Sequence, residues 1–272
     1  MKKTFLYFLI GFLILYLLAC LNLYFAQTDI LFPSQVANQT TYQEIADAYP
    51  NATNTYTAKD KTILQGFFVD SKPNLPLYIY YGGNAEDVAY TFPFLTSEMD
   101  RSLLSINYRG YGKSGGKPSE SDLFSDALEI FDAYQVKFKD RPIILVGRSL
   151  GSGVACYVAS HRNINGLVLL TPYDSILNVA KTKFPFMPIQ LLLNHPFDSY
   201  QYSEKIKAPT LFCLAQSDFV VPNANSMHLY EHWVSQKKLV TIANSNHDNL
   251  IIQKEFINIL NTFLLELENS VK

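Results

Sequence analysis

Six short apolar runs set the architecture: Leu77 to Tyr81, Ser102 to Asn107, Ile143 to Val146, Leu167 to Leu170, Leu211 to Ala215 and Leu239 to Ile242. Each is too short for a stable helix and lacks polar alternation, the pattern of strands buried on both faces of a parallel sheet. Parallel neighbours need crossovers, and helical spacing appears between and after the runs. Ser121 to Phe138 places Leu123, Ala127, Ile130, Phe131 and Tyr134 on one face, and Phe256 to Leu267 closes the chain in the same way. Ahead of the six, Thr55 to Ala58 and Ile63 to Val69 flank the polar turn Lys59-Asp60-Lys61 and read as an antiparallel hairpin. The sum is an α/β fold with an eight-stranded, mostly parallel sheet and helices on both faces.

A chain of 272 residues, 48% hydrophobic, buries one sizeable core, so one domain is expected, over residues 55–272. Residues 172–209 are rich in proline and aromatics, with Pro185, Pro188 and Pro196 breaking any long helix, and form a short cap insertion. Residues 29–54 read as a neck with one short helix around Gln43 to Ala48. A net charge of −2 without a dense Lys/Arg run excludes nucleic acid as a partner. Cys20, Cys156 and Cys213 have no close pairing and give no disulfide framework.

At the N-terminus, Lys2 and Lys3 precede an apolar run from Phe5 to Ala26 interrupted only by Gly11 and Asn22. About 20 apolar residues cross a bilayer, whereas the apolar part of a cleaved signal has about 7–15. Residues 1–28 are therefore expected to be an uncleaved, single-pass membrane anchor. No basic residue follows until Lys59, which puts the lysines in the cytoplasm and the domain outside it. The competing reading is Leu17-Leu18-Ala19-Cys20, which resembles a lipoprotein cleavage site with Cys20 lipidated. Either way a membrane is the expected partner; the oligomeric state is left open.

Gly147-Arg148-Ser149-Leu150-Gly151 stands directly after one predicted strand and before the helix-compatible stretch Ser152 to His161. This G-x-S-x-G setting is the nucleophile elbow, a tight turn whose flanking glycines let strand and helix approach each other. A serine hydroxyl attacks at neutral pH only if a base takes its proton and an acid orients that base. Asp218, in the loop after the Leu211 to Ala215 strand, is the candidate acid, with Asp248 and Asp174 as substitutes. His247, after the last strand, is the candidate base. Two donors must hold an oxyanion: the backbone N–H of Leu150, next to the nucleophile, and the N–H of Asn84 in the loop Gly82-Gly83-Asn84-Ala85.

Other patterns carry less. Gly110-Tyr111-Gly112-Lys113-Ser114-Gly115 satisfies G-x-G-x-x-G, but Gly116-Lys117-Pro118 follows where a dinucleotide site needs a helix N-terminus. Asn107 stands where a phosphate loop needs its first glycine. His228 and His232 have metal-like i, i+4 spacing, yet no third ligand is evident, so they read as a solvated helix face. Neither cofactor nor metal is expected.

Several strings resemble one group, the membrane-anchored α/β-hydrolases of the serine-aminopeptidase-like superfamily related to abhydrolase-domain depalmitoylases. The similarity runs from about Ile30 to the end. It is carried by Tyr81 to Glu86, Asn107-Tyr-Arg-Gly-Tyr-Gly-Lys-Ser-Gly-Gly116, Gly147 to Gly151, Thr171 to Ser175, Phe197-Asp198-Ser199, Asp218-Phe-Val-Val-Pro222 and His247-Asp248, in the group's order. Gly82 replaces the group's histidine before the oxyanion glycine, and Leu214-Ala215 its H-G ahead of the acid loop. The resemblance implies the α/β-hydrolase fold, a triad of Ser149, Asp218 and His247, and cleavage of ester or thioester bonds in small or lipid-like acyl substrates. A short cap implies an exposed site. The alternatives are a serine peptidase and a catalytically silent membrane-bound binding protein that keeps the fold.

Overall fold

The computed structural model describes residues 2–33, 35–139 and 141–270; Met1, Val271 and Lys272, the outermost residues of the expected 1–28 and 55–272 stretches, lie outside it with Ser34 and Asp140. Helix α1 (Lys2–Leu31) and the short helix α2 (Gln39–Ala48) precede the sheet. Strands β1 (Thr53–Thr57), β2 (Ile63–Val69), β3 (Leu77–Tyr81), β4 (Ser102–Ile106), β5 (Ile143–Arg148), β6 (Gly166–Leu170), β7 (Thr210–Ser217) and β8 (Lys237–Asn246) form one eight-stranded sheet in the order β1-β2-β4-β3-β5-β6-β7-β8. β2 pairs antiparallel with β1 and β4, and all other pairs are parallel.

Alternation along each strand divides the core into two layers. Leu77, Ile79 and Tyr81 of β3 pack with α4 (Glu120–Lys137), α5 (Leu150–His161) and α9 (Asn223–His232). Tyr78 and Tyr80 face the opposite layer, built from α2, α3 (Phe92–Met99) and α10 (Lys254–Ser270). On α10, Phe256, Leu260, Phe263, Leu264 and Leu267 are buried at helical spacing, each contributing about 2 kcal/mol by leaving water. This explains why the runs of β3, β4 and β6 carry no charged residue: all their residues are buried, Ser102 and Ser105 of β4 included.

The 29–54 stretch is built into the domain. Phe32, Ala37, Tyr42, Ile45 and Ala52 are buried, and Asp87 draws the segment in by accepting from Ala37 N–H and the Tyr42 hydroxyl, both at 2.8 Å. Helix α2 starts four residues earlier than the sequence pattern implies. Asn38 caps it through Thr41 N–H at 2.8 Å, a local bond that hydrophobic spacing does not register.

The cap holds three short helices, α6 (Ile176–Lys183), α7 (Ile189–Leu192) and α8 (Ser199–Ser203). It is tied to α1 by Gln27, one of two buried residues on that helix. The Gln27 amide donates to the Leu192 carbonyl at 2.9 Å and its oxygen accepts from Asn194 N–H at 2.7 Å. Most of the remaining α1 surface is apolar and exposed. By length and composition α1 is able to cross a membrane.

Candidate active site

β5 delivers Ser149 into a turn with φ +50° and ψ −118°, a conformation that costs a non-glycine residue about 1–3 kcal/mol. The surroundings hold it there: Ser149 N–H donates to the Leu170 carbonyl of β6 at 2.9 Å, and α5 begins at the next residue. A Cβ on Gly147 would come within 2.4 Å of the Gly151 carbonyl oxygen, and one on Gly151 within 2.1 Å of the Tyr81 carbonyl oxygen. The two flanking glycines therefore permit the crossing of strand and helix.

Three side chains from three sheet ends form a continuous hydrogen-bonded line. His247 Nε2 lies 2.8 Å from Ser149 Oγ, and His247 Nδ1 lies 2.8 Å from Asp218 Oδ2. The other Asp218 oxygen accepts from Val220 and Val221 N–H at 2.9 and 2.8 Å, which fixes the carboxylate plane. His247 is presented by a turn in which Asn246 Oδ1 accepts from Asp248 and Asn249 N–H, while Asn249 Oδ1 accepts from Asn246 N–H. Ser149 and His247 are each 7% exposed, so the site is less open than the short cap implies. The reason is that α1 covers it together with the cap.

The substitute acids are engaged elsewhere. Asp174 accepts from Ser175 N–H, the Asn178 and Asn225 amides, and faces His228 Nδ1 at 2.8 Å. Asp248 is exposed, and its hydrogen bonds run through its backbone, the N–H donating to Asn246 and the carbonyl accepting from Arg148. His228 and His232 stack on Tyr200, and His232 also pairs with Glu204 at 3.2 Å. Their spacing thus serves an aromatic stack. Near the cap, burial pushes the Glu120 carboxyl up to about 7, and its oxygen accepts from Phe197 N–H.

Leu150 and Asn84 both border the cleft beside Ser149. Leu150 N–H heads α5, where a helix has no internal acceptor to offer and its dipole favours negative charge. In the 82–86 loop, Gly83 N–H donates to Glu86 at 2.9 Å and the Gly82 carbonyl accepts from the Tyr108 hydroxyl at 2.9 Å. The Asn84 carbonyl accepts from the Tyr111 hydroxyl. The peptides on either side of the Gly83–Asn84 peptide are therefore pinned, which restricts the orientation of the Asn84 N–H.

The same contacts account for the Asn107 to Gly116 string. Asn107 bonds Asp87 and Val88, Tyr108 and Tyr111 hold the neighbouring loop, and Arg109 forks onto Asp126 at 2.7 and 2.8 Å. Gly110, Gly112 and Gly116 take positive φ, and no helix begins until Glu120. It is a bracing loop.

Sequence reasoning missed the buried pair beside Ser149. Arg148 Nη1 meets Glu86 Oε2 at 2.8 Å, with side chains 15% and 6% exposed, and Glu86 also accepts from Tyr80 and Thr91 hydroxyls. Burial, reinforced by the Glu86 charge, holds the Tyr80 hydroxyl well above its ordinary pKa, so it stays a donor. The variable position of G-x-S-x-G gives no hint that its side chain crosses to β3's loop.

Ser149 opens onto a cavity of about 320 Å³ between α1, the cap and the 220–221 loop. Its walls include Leu23, Ile30 and Leu31 of α1, Val179 and Phe184 near α6, and Leu192. Lys183 is the one charged residue at its edge among the described residues.

Comparison with solved structures shows the fold. An esterase of Pyrococcus furiosus superposes with a TM-score of 0.68 at 18% identity, over 87% of this chain and 97% of its own. The chain has the α/β-hydrolase fold. Residues 96–195 match the serine aminopeptidase (S33) family, a stretch that contains Ser149 but stops before Asp218 and His247. An uncharacterized membrane protein of Saccharomyces cerevisiae is 28% identical over 95% of this chain and 96% of its own length. The alpha/beta hydrolase domain-containing protein 17C of mouse is 28% identical over 79% of this chain and 68% of its own.

Proposed function

We propose that this α/β-hydrolase is a membrane-tethered serine hydrolase that cleaves carboxylic ester or thioester bonds through an acyl-enzyme. The observation that carries the reading is the line Asp218–His247–Ser149, 2.8 Å at each link, at the mouth of an apolar cavity. His247 Nε2 takes the Ser149 proton as Oγ bonds to the acyl carbon, and Asp218 stabilises the imidazolium. The oxyanion is held by Leu150 and Asn84 N–H. His247 then gives the proton to the departing alcohol or thiol as its bond to the acyl carbon breaks. Water, deprotonated by the same histidine, releases the acid and restores Ser149.

The apolar walls favour an acyl chain. A free amino terminus, the substrate feature of an aminopeptidase, wants a carboxylate partner; no acidic side chain lines this cavity among its described residues, and of the two acids bordering the smaller pocket on the His247 side, Glu86 is paired with Arg148 while Asp248 is exposed. The tether in this reading is α1, uncleaved, with Lys2 and Lys3 on the cytoplasmic side. A panel of p-nitrophenyl esters and acyl thioesters tests the activity. Wild type is expected to turn over at least one class and Ser149→Ala none; full activity in Ser149→Ala would overturn the mechanism.

A further inference from the structure

The cavity at Ser149 has a wall made from the anchor itself, and the depth of that wall relative to a bilayer is fixed by counting residues. At 1.5 Å per residue, α1 is ~45 Å long, while bilayer hydrocarbon is ~30 Å thick. Counted from Phe5, the first apolar residue after the lysines, about twenty residues fill the hydrocarbon, which then ends near Tyr24. Gln27 and Asp29 lie beyond that level.

The cap meets α1 on the membrane side of it. The Tyr16 hydroxyl donates to the Phe186 carbonyl at 3.0 Å, and Cys20 Sγ lies 3.8 Å from Met187 Sδ. Cys20 is about 6 Å, and Tyr16 about 12 Å, inside the Tyr24 level. The cap segment at that depth suits hydrocarbon. Residues 184–193, Phe-Pro-Phe-Met-Pro-Ile-Gln-Leu-Leu-Leu, contain no charge. Phe186 and Leu191 are 85% and 79% exposed, an apolar surface with no protein against it. Lys181, exposed just before the segment, stands where a long cationic side chain reaches headgroups, while the Lys183 ammonium donates to the Phe219 carbonyl at 3.1 Å.

We propose that the 184–193 segment of the cap is inserted in the same leaflet that α1 crosses, so that the Ser149 cavity opens sideways into leaflet hydrocarbon. The occupant of the exposed cap face is lipid, and the substrate is a membrane-resident long-chain acyl ester or thioester whose chain slides between α1 and the cap. The polar end of that substrate stays at the headgroup level, where Gln27 closes the junction of α1 and cap. The substrate class rests on the serine-hydrolase reading above; the insertion does not.

Two measurements on the full chain in phosphatidylcholine vesicles test it. In a Cys20→Ala background, where Cys156 and Cys213 are fully buried, Phe186→Cys, Leu191→Cys and Val136→Cys variants carry an NBD label. Val136 is 81% exposed on α4 and serves as the aqueous control. Labels at 186 and 191 are expected to be quenched by doxyl lipids several-fold more than that at 136 and shielded from dithionite. Equal dithionite access at all three sites would overturn the insertion. In the second, the double variant Phe186→Asp/Leu191→Asp, which spares the cavity lining, is expected to lose at least tenfold in hydrolysis of p-nitrophenyl palmitate held in vesicles while p-nitrophenyl acetate turnover stays within twofold. Equal losses on both esters, or none on either, would overturn the lateral route. If wild type hydrolyses neither ester, the serine-hydrolase reading fails, and the label depths still decide the insertion.

Discussion

Replacing Arg148 by Met isolates what the buried pair beside Ser149 contributes. The Glu86 side chain is 6% exposed and would keep only neutral donors: Tyr80 at 2.9 Å, Thr91 at 2.6 Å and Gly83 N–H at 2.9 Å. Breaking a buried ion pair from one side costs about 3–5 kcal/mol, because an uncompensated charge remains. Three surviving hydrogen bonds place Arg148→Met near the lower end, at about 3 kcal/mol. For a domain of this size that lowers Tm by about 6–12 °C. Arg148→Met/Glu86→Gln removes both charges and should regain at least half of the loss, giving a coupling of about 1.5 kcal/mol or more. Thermal and urea unfolding in detergent micelles measure all four corners of the cycle. A cost under about 1 kcal/mol for Arg148→Met, with additivity in the double variant, would refute the view that this pair braces the 82–86 loop.

Tyr111→Phe removes the hydroxyl that pins the Asn84 carbonyl, and losing one hydrogen bond worth about 1 kcal/mol at an oxyanion donor should lower kcat about fivefold with KM unchanged. Steady-state kinetics on a short ester read the split, and an unchanged kcat would remove Tyr111 from that role. Glu120 keeps its proton in the folded state up to about pH 7, against an ordinary 4.5, so the stability it confers is complete below 4.5 and is lost as pH rises to 7. The loss is about 3 kcal/mol at most, and Glu120→Gln should remove that slope in urea titrations at pH 4.5 and 7.5; parallel slopes in the two proteins would contradict it.

The sheet was legible because its strands are buried on both faces, so each run of apolar residues is a strand and little else. Hydrophobic patterning also marked α4 and α10, whose inward faces repeat at helical spacing. The site residues sit at loop positions that chain order and the elbow motif single out, and Ser149, His247 and Asp218 come together as neighbours in space. What sequence did not disclose were bonds between distant polar residues. Tyr42 with Asp87, Arg148 with Glu86, and Tyr111 with Asn84 span 45, 62 and 27 positions. No periodicity encodes such pairs. The last turns of α1 were opaque for a different reason: Leu23, Ile30 and Leu31 have the same hydropathy whether they face lipid or line a cavity. Only Gln27, a polar residue at the end of an apolar run, signalled a protein neighbour.

The central claim is that Ser149 is a nucleophile activated by His247. Treatment of the full-length protein with a fluorophosphonate, followed by digestion and mass spectrometry, tests it at the atom concerned. The account predicts a single adduct on the peptide carrying Ser149, abolished in Ser149→Ala and slowed at least a hundredfold in His247→Ala. No adduct on Ser149 in folded wild type, or equal labelling rates with and without His247, would contradict it.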